Sequence, residues 1–325
     1  MKAGRIAGYA AFGAALTYTL LKVAWIAGSS VGISEMRGLS RADWMAGNIS
    51  TAGLGIVGAI VALATVRSWG MRIPLWLIAV PMWVGAGLLA PFIVLMPAAA
   101  VFVAAGWWAP PATAADGTEP TLEPWTFVIV YGSFIVLGAG LAVAFPVYAW
   151  ARFRTALLGT VGQVPAGSTH LAQVPLAWAA AVLATGLAGL RLSWAFGATV
   201  GLHLGPRDVW LRLGDVVAAM QILCVVLGVL VLVHRWGKER RFTLPLIATW
   251  LGAGGMVGTG FLSMPTILSG DQWAPTGQTF AAHATGTFLT CVAGGLISLV
   301  ALFLLVERRA AVAENTAARA PAAAG

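Results

Sequence analysis

Charged residues are scarce in this sequence. Only 9% of its 325 residues are charged, whereas 59% are hydrophobic and the mean hydropathy is +0.88. A soluble domain of this length cannot bury so much apolar surface, so we expect lipid around most of the chain. The basic residues give a formal net charge of +8, but they stand at segment ends rather than in one patch. That distribution excludes a nucleic-acid-binding surface and is typical of loops that anchor membrane helices.

Cysteine and histidine are also rare. Cys224 and Cys291 both fall within apolar segments, which argues against a secreted disulfide framework and leaves buried thiols or a redox pair. All four histidines lie in the second half of the chain, with His203 and His283 at the predicted outer ends of two helices. A bis-histidine haem would use these two. Because the first half has no histidine, the sequence predicts no haem and no other cofactor.

The common catalytic signatures are missing as well. The chain has no P-loop, no dinucleotide fingerprint, no metal-ligand spacing and no nucleophile elbow. Paired aspartates that would hold magnesium on a prenyl diphosphate are absent too. The sequence therefore predicts no metal site and leaves any catalytic residues unknown.

Long apolar runs take the place of these motifs. Eight stretches reach about 20 residues, the length that crosses about 30 Å of hydrocarbon. Only helices satisfy their own backbone in lipid at this hydropathy, so we predict an all-α, polytopic transmembrane helical bundle. The predicted spans lie near 7–33, 50–67, 73–96, 126–150, 174–201, 213–234, 243–267 and 281–306.

Basic residues orient these spans. Five basic clusters fall on one side, and the acid-bearing segment 97–125, without lysine or arginine, falls on the other. The positive-inside rule then places both termini in the cytoplasm. The predicted external loops 34–49 and 202–212 carry two arginines each and oppose this orientation, but the five clusters outweigh them. The excess of arginine over lysine, together with abundant alanine and glycine, favours a bacterial plasma membrane.

The sequence repeats itself. LKVAWIAGSSVGI (21–33) aligns with LRLSWAFGATVGL (190–202) without a gap. Three further matches follow in the same order: Trp69-Gly70 with Trp236-Gly237, WVGAG (83–87) with WLGAG (250–254), and, more weakly, GSFI (132–135) with GTFL (286–289). We therefore expect eight helices arranged as two parallel four-helix repeats, related by a pseudo-twofold axis along the membrane normal.

The repeats set the predicted domain boundaries. Residues 1–150 form the first repeat, 151–173 a cytoplasmic connector, 174–306 the second repeat and 307–325 a disordered cytoplasmic tail rich in alanine. The first apolar run resembles a signal peptide only loosely. Because its pattern recurs in the middle of the chain, we expect it to be retained as a helix.

Each copy carries one cation within its first predicted helix, Lys22 and Arg191. A cation there costs at least about 2.5–3.5 kcal/mol on insertion scales and usually faces a cavity or a partner. Three interpretations remain open: snorkelling to the headgroups, a structural bond to carbonyls or a carboxylate, and a ligand site. The candidate carboxylates are Glu35, Glu123, Asp208 and Asp215.

Neighbouring residues extend this candidate site. Trp25 and Trp194 each follow their cation by one turn, so cation and indole share a helix face. Gln221, His203 and His283 complete the predicted ligand-binding set. The glycine pairs at 28 and 32 and at 197 and 201 read as GxxxG steps for helix packing: Gly28, Gly32, Gly197 and Gly201. If the two helices meet there, both cations share one outward cleft between the repeats.

The pattern Lys/Arg-x-x-Trp-x-x-Gly-x-x-x-Gly spans Lys22–Gly32, which we call the first motif, and Arg191–Gly201, the second motif. It resembles a motif of uncharacterised polytopic membrane proteins common in actinobacteria, some of which are short four-helix forms. The resemblance implies a membrane location and a duplicated origin. It implies no activity.

Three functions fit these patterns. The first is a membrane protein that binds or translocates a small anionic or amphipathic molecule, although no predicted span shows an obvious break of the kind many transporters have. The second is a membrane-embedded enzyme acting on a lipid or quinone-like substrate, its cations stabilising developing negative charge. The third is an accessory subunit that meets a protein partner in the membrane. The expected partners are therefore the lipid bilayer, such a small molecule and such a protein, and not nucleic acid.

Overall fold

The computed structural model describes residues 2–35, 41–107, 121–203, 205, 207–269 and 277–319. Helices account for nearly all of this. Eight candidate membrane spans occur within the described residues, long and apolar enough to cross a bilayer. The predicted all-α, multi-span class is thereby confirmed.

The chain divides into two compact units. The first comprises Met1–Met82 and Ala109–Arg152, and the second comprises Trp83–Trp108 and Phe153–Gly325. The elements in chain order are α1 (Lys2–Ile26), β1 (Ile33–Glu35), α2 (Arg41–Val66), α3 (Trp76–Leu89), α4 (Phe92–Ala104), β2 (Thr121–Leu122), α5 (Pro124–Leu157), α6 (His170–Ala195), α7 (Val209–His234), α8 (Thr243–Ser269) and α9 (Phe280–Arg319). Short 3-10 helices cover Ser68–Met71 and Val161–Gln163.

In the first unit, α1 packs against α2, and small residues bring α5 close to α1. A side chain on Gly140 would collide with Ala7 and Ala11, and one on Gly4 would press against Val147. Such small-residue contacts are how helices associate in lipid, where no hydrophobic force draws them together. β1 pairs antiparallel with β2, which joins the chain after α1 to the start of α5.

In the second unit, α6, α7, α8 and α9 surround a shared core, and α4 contacts α7. Alanines at helical spacing on α6 let its neighbours approach closely. The fully buried apolar residues of this shared core are Ala177, Ala180, Ala184, Ala219, Val225, Val229, Leu232, Val233, Phe242, Ala293, Ile297 and Val300. Many large apolar side chains point outward instead, such as Val182 (71% exposed) and Phe288 (66%), as expected of a lipid-facing surface.

The first and fifth predicted spans are wrong at their C-terminal ends. α1 ends at Ile26 rather than 33, and α6 ends at Ala195 rather than 201. The cause is local, since a glycine with positive φ follows each helix, Gly28 (+93°) and Gly197 (+99°). That backbone conformation terminates an α-helix.

The third predicted span is interrupted, contrary to the expectation of unbroken helices. Residues 90 and 91 form a turn between α3 and α4 within the candidate span Trp76–Ala104. Pro91 lacks a backbone N–H, so the carbonyl of Gly87 loses the donor that an uninterrupted helix would supply. Below, that carbonyl is found bonded to a side chain of α7.

The predicted disordered tail is wrong over 307–319, because α9 continues to Arg319. Glu307 holds this part of the chain against the connector. Its carboxylate accepts hydrogen bonds from Thr169 N (2.8 Å), Thr169 Oγ1 (2.7 Å), Gly167 N (3.2 Å) and Gln173 Nε2 (3.1 Å). Residues 320–325 lie outside the described residues.

Candidate functional site

Each motif begins four residues before the end of a helix, at Lys22 in α1 and at Arg191 in α6, and ends in a tight turn. After α1, Gly28 N bonds to Trp25 O (3.1 Å) and Ser29 N to Ala24 O (2.9 Å). After α6, Gly197 N bonds to Trp194 O (3.1 Å) and Ala198 N to Ser193 O (2.9 Å). This pair of bonds is a Schellman motif, which glycine permits because it adopts positive φ without a Cβ clash.

The GxxxG interpretation is therefore wrong. Gly28 and Gly197 lie beyond their helices, and a Cβ on either would meet nothing within 4 Å. Gly32 (φ +74°) and Gly201 (φ +73°) form a second turn further along. Gly28 and Gly197 serve only the turns, whereas a Cβ on Gly32 would collide with Thr126 of α5 and one on Gly201 with Ala282 of α9, so these two glycines let the loop approach a later helix.

The two tryptophans fasten these turns. Trp25 Nε1 donates to Val31 O, and Trp194 Nε1 donates to Val200 O, with a donor–acceptor distance of 2.8 Å in each case. Both residues are 3% exposed. A buried indole N–H needs an acceptor. Here the acceptor is a backbone carbonyl of the loop that follows the helix.

The chain then pairs with the segment that enters a later helix. In the first unit, Ile33 pairs with Leu122 and Glu123 N donates to Gly32 O (2.9 Å). In the second, Leu202 pairs with Gln278, and Thr279 N donates to Gly201 O (2.9 Å). The two motifs thus share their local geometry from helix end to bridge.

Lys22 lies four residues before the end of α1. Its Nζ donates to Asn48 Oδ1 of α2 (3.0 Å) and lies 4.6 Å from the Trp25 ring centroid and 5.4 Å from that of Tyr18. Asn48 is 2% exposed and is oriented by its own bond from Nδ2 to Trp44 O (2.8 Å). Among the carboxylates whose side chains the structure describes, which excludes residues 35 and 43, none forms an ion pair with Lys22.

Arg191 occupies the same place on α6 but has a charged partner. Its Nη1 lies 3.1 Å from Asp215 Oδ1 of α7. Arg207 approaches the other carboxylate oxygen, with Nε 2.9 Å from Oδ2, without hydrogen-bond alignment. The guanidinium carbons of Arg191 and Arg207 lie 5.4 and 4.7 Å from the Trp194 ring centroid. The predicted bond between a motif cation and a nearby carboxylate therefore exists in the second unit.

Asn48 and Asp215 hold corresponding places in the two units. The Trp69 and Trp236 match has an offset of 236 − 69 = 167, as does the match of 83 with 250, and 48 + 167 = 215. In each unit this residue comes from the helix after the motif and binds the motif cation. The first unit thus has an amide where the second unit has a carboxylate.

The exchange leaves the charge of the two clusters equal. Counting only the motif cation, its side-chain partner and the second arginine on that partner, Lys22 with Asn48 carries one positive charge, and Arg191 with Arg207 and Asp215 also sums to one. The extra arginine offsets the extra carboxylate. Burial lowers the pKa of the Arg207 guanidinium and the Asp215 charge raises it, but arginine starts so far above neutrality that it stays protonated.

The other candidate carboxylates make no ion pair with a motif cation among the described side chains. Asp208 caps the N-terminus of α7, accepting from Leu211 N (2.7 Å), and its charge also acts on the neighbouring Arg207. Glu123 takes part through its backbone N–H only, in the bond to Gly32 described above. The side chain of Glu35 lies outside the described residues.

Gln221 has a structural partner. Its Nε2 donates to Gly87 O (2.9 Å), the carbonyl that Pro91 leaves without a helical donor. A Cβ on Gly255 would collide with the same amide. Gln221 therefore completes a broken helix at a close crossing of α3, α7 and α8, away from the charged cluster as far as its described contacts show.

The two candidate histidines differ. His203 is exposed, and its Nδ1 lies 3.0 Å from Gln278 O. His283 is 7% exposed on the first turn of α9 and interacts electrostatically with Arg191. Among the described residues, no group of three or more His, Cys, Asp or Glu side chains could hold a metal ion. Comparison of the chain with protein families, characterised proteins and solved structures finds no match.

Sequence reasoning missed two members of the clusters. Asn48 would have been found by applying the offset of 167 to Asp215. Arg207 was visible as one of the arginines that oppose the orientation rule in loop 202–212, but nothing in the sequence links it to Asp215. That link depends on the turn after α6, which brings the loop back over Trp194.

Proposed function

We propose that this protein is a multi-pass protein of a bacterial plasma membrane that binds or translocates a small anionic or amphipathic molecule at its two motifs. The observation that carries the proposal is the equal charge of the two clusters. Each keeps one unit of positive charge beside a buried indole, although their partner residues differ.

An excess buried charge is costly when it serves only structure. A purely structural pair in the second unit would be complete with Arg191 and Asp215 alone, yet Arg207 is added with its side chain 2% exposed. The presence of Arg207, which restores a net positive charge to the cluster, is explained if the site attracts a negatively charged group. The same argument applies to Lys22, for which a neutral amide is the partner.

The proposed architecture is two parallel four-helix repeats with both termini in the cytoplasm. The matched turns, bridges and cation partners support a duplicated origin. Leu202 lies 169 residues after Ile33, and Gln278 lies 156 residues after Leu122. The same antiparallel pairing therefore occurs in both units, although the segments that connect the paired residues differ in length.

The test is a double variant, Lys22→Gln with Arg191→Gln, purified in detergent beside the wild type. A matched control, Lys2→Gln with Arg154→Gln, removes one exposed lysine and one exposed arginine elsewhere. Mass spectrometry of co-purifying lipids and metabolites is the readout. We expect an anionic species in the wild type and the control that the double variant loses. Equal contents in all three proteins overturn the proposal.

A second function, that of an accessory subunit, is favoured by a specific observation. The motif tryptophans and glycines all serve the turn, as the indole bonds to Val31 and Val200 illustrate. A motif that only shapes the membrane-boundary loops would suit a protein-docking role. It predicts that the double variant keeps its bound molecules and loses thermal stability.

A further inference from the structure

Arg191 uses only part of its hydrogen-bonding capacity. A guanidinium has five N–H donors, and within the described residues Nη1 alone has a partner, Asp215. The side chain is 34% exposed. The Nε and Nη2 edge therefore remains available as a planar, two-donor fork, the geometry that recognises phosphate or carboxylate.

Buried residues fix the direction of this fork. Asp215 and Arg207 have side chains only 2% exposed. The guanidinium groups of Arg207 and Arg191 both lie over the Trp194 ring. Arg207 neutralises the Asp215 charge that Arg191 would otherwise cancel. As a result, the excess positive charge of the cluster lies on Arg191, the member of the three whose side chain is accessible to solvent or lipid.

The site lies near the ends of two candidate membrane spans, α6 and α7. Arg191 precedes the end of α6 by four residues, about 6 Å along the axis, and Arg207 precedes α7 by two. Between them, the loop exposes two large apolar side chains, Phe196 (84% exposed) and Val200 (73%). Apolar side chains this exposed beside a cation fit acyl chains below a layer of headgroups.

We propose that Arg191 binds the phosphodiester group of an anionic membrane phospholipid, with Phe196 against its acyl chains and with Asp215 and Arg207 as positioning residues. This inference rests on the proposed function and names the class of ligand at the second motif. The first motif is not equivalent, because Lys22 presents a point charge rather than a fork and Ala27 stands where Phe196 would be.

The probe is phosphatidylglycerol, compared with phosphatidylcholine, titrated into the full-length protein in detergent and followed by native mass spectrometry. We expect phosphatidylglycerol to bind about tenfold more weakly to Arg191→Gln than to the wild type. Arg191→Lys, which keeps the charge and loses the fork, should be intermediate. The matched control Arg154→Gln, which removes an exposed arginine outside both motifs, should leave this binding unchanged. Thermal unfolding checks the fold, and Arg191→Gln still leaves Asp215 paired with Arg207.

Competition separates a lipid from a free anion. Inorganic phosphate in excess should not displace phosphatidylglycerol, and Phe196→Ser should weaken the lipid severalfold while Phe196→Leu does not. Undiminished lipid binding in Arg191→Gln overturns the inference, as does full displacement by inorganic phosphate. If the double variant described above loses a non-lipid anion, the proposed function stands and only the phospholipid assignment fails.

Discussion

Asn48 and Asp215 hold the same position in two different electrostatic settings. Each comes from the helix that follows its motif, each is 2% exposed, and each bonds the motif cation, at 3.0 Å from Lys22 and 3.1 Å from Arg191. The second setting adds Arg207 on the other carboxylate oxygen. The pair of residues therefore offers a direct way to alter the charge of either cluster by a single near-isosteric change.

Exchanging the two residues should have opposite consequences. Asn48→Asp gives Lys22 a carboxylate partner, and we expect the fold to persist while anion binding at the first motif is lost. Asp215→Asn leaves Arg191 and the buried Arg207 without a counter-charge and should destabilise the protein by about 3 kcal/mol. Thermal unfolding in detergent, read together with co-purified anions, measures both. Equal destabilisation by the two changes would contradict the charge assignment.

Gly197→Ala should lower the stability of the folded state by straining the turn after α6. Its φ of +99° is a conformation that L-residues avoid, at a cost of about 1–2 kcal/mol. Gly189, within α6 and with open space at its Cβ, is the matched control. Because alanine is a better helix former, Gly189→Ala should be neutral or stabilising. The unfolding midpoints of the two variants decide the matter, and a loss at Gly189 equal to that at Gly197 would count against the turn.

Gln221 and Pro91 should be energetically coupled. Gln221→Leu leaves the Gly87 carbonyl without a donor and should cost about 1–3 kcal/mol. Pro91 already has helical φ and ψ of −58° and −33°, so Pro91→Ala can supply the missing N–H. We expect Gln221→Leu to cost much less in the Pro91→Ala background. A double-mutant cycle measures this coupling, and additive effects would mean that the Gln221 bond does not satisfy Gly87.

Glu307→Ala should release the connector between the two predicted repeats. The carboxylate accepts four hydrogen bonds from residues 167, 169 and 173, so its loss should speed hydrogen exchange at the amides of Gly167 and Thr169 by tenfold or more, as about 1.4 kcal/mol of local stability implies. Glu314→Ala, at an exposed position on the same helix, is the control. Unchanged exchange in Glu307→Ala would show that the connector is held elsewhere.

The sequence by itself determined the class of the protein, because eight long apolar runs have few outcomes other than helices in lipid. It also located the repeated motif, the cations and the indoles that accompany them. It placed α1 and α6 too far along the chain, since a hydropathy pattern continues through a loop that remains apolar. The W-x-x-Gly spacing was the available signal for the helix end, and the GxxxG interpretation obscured it.

Only the tertiary structure decided what the cations contact. The bonds of Lys22 to Asn48 and of Arg191 to Asp215 join residues 26 and 24 positions apart on separate helices, and Arg207 reaches its partner through a turn. Such contacts depend on helix rotation and on where a helix stops. A one-dimensional pattern does not fix these, since hydropathy reports which residues avoid water and is silent on which polar groups meet once water has been excluded.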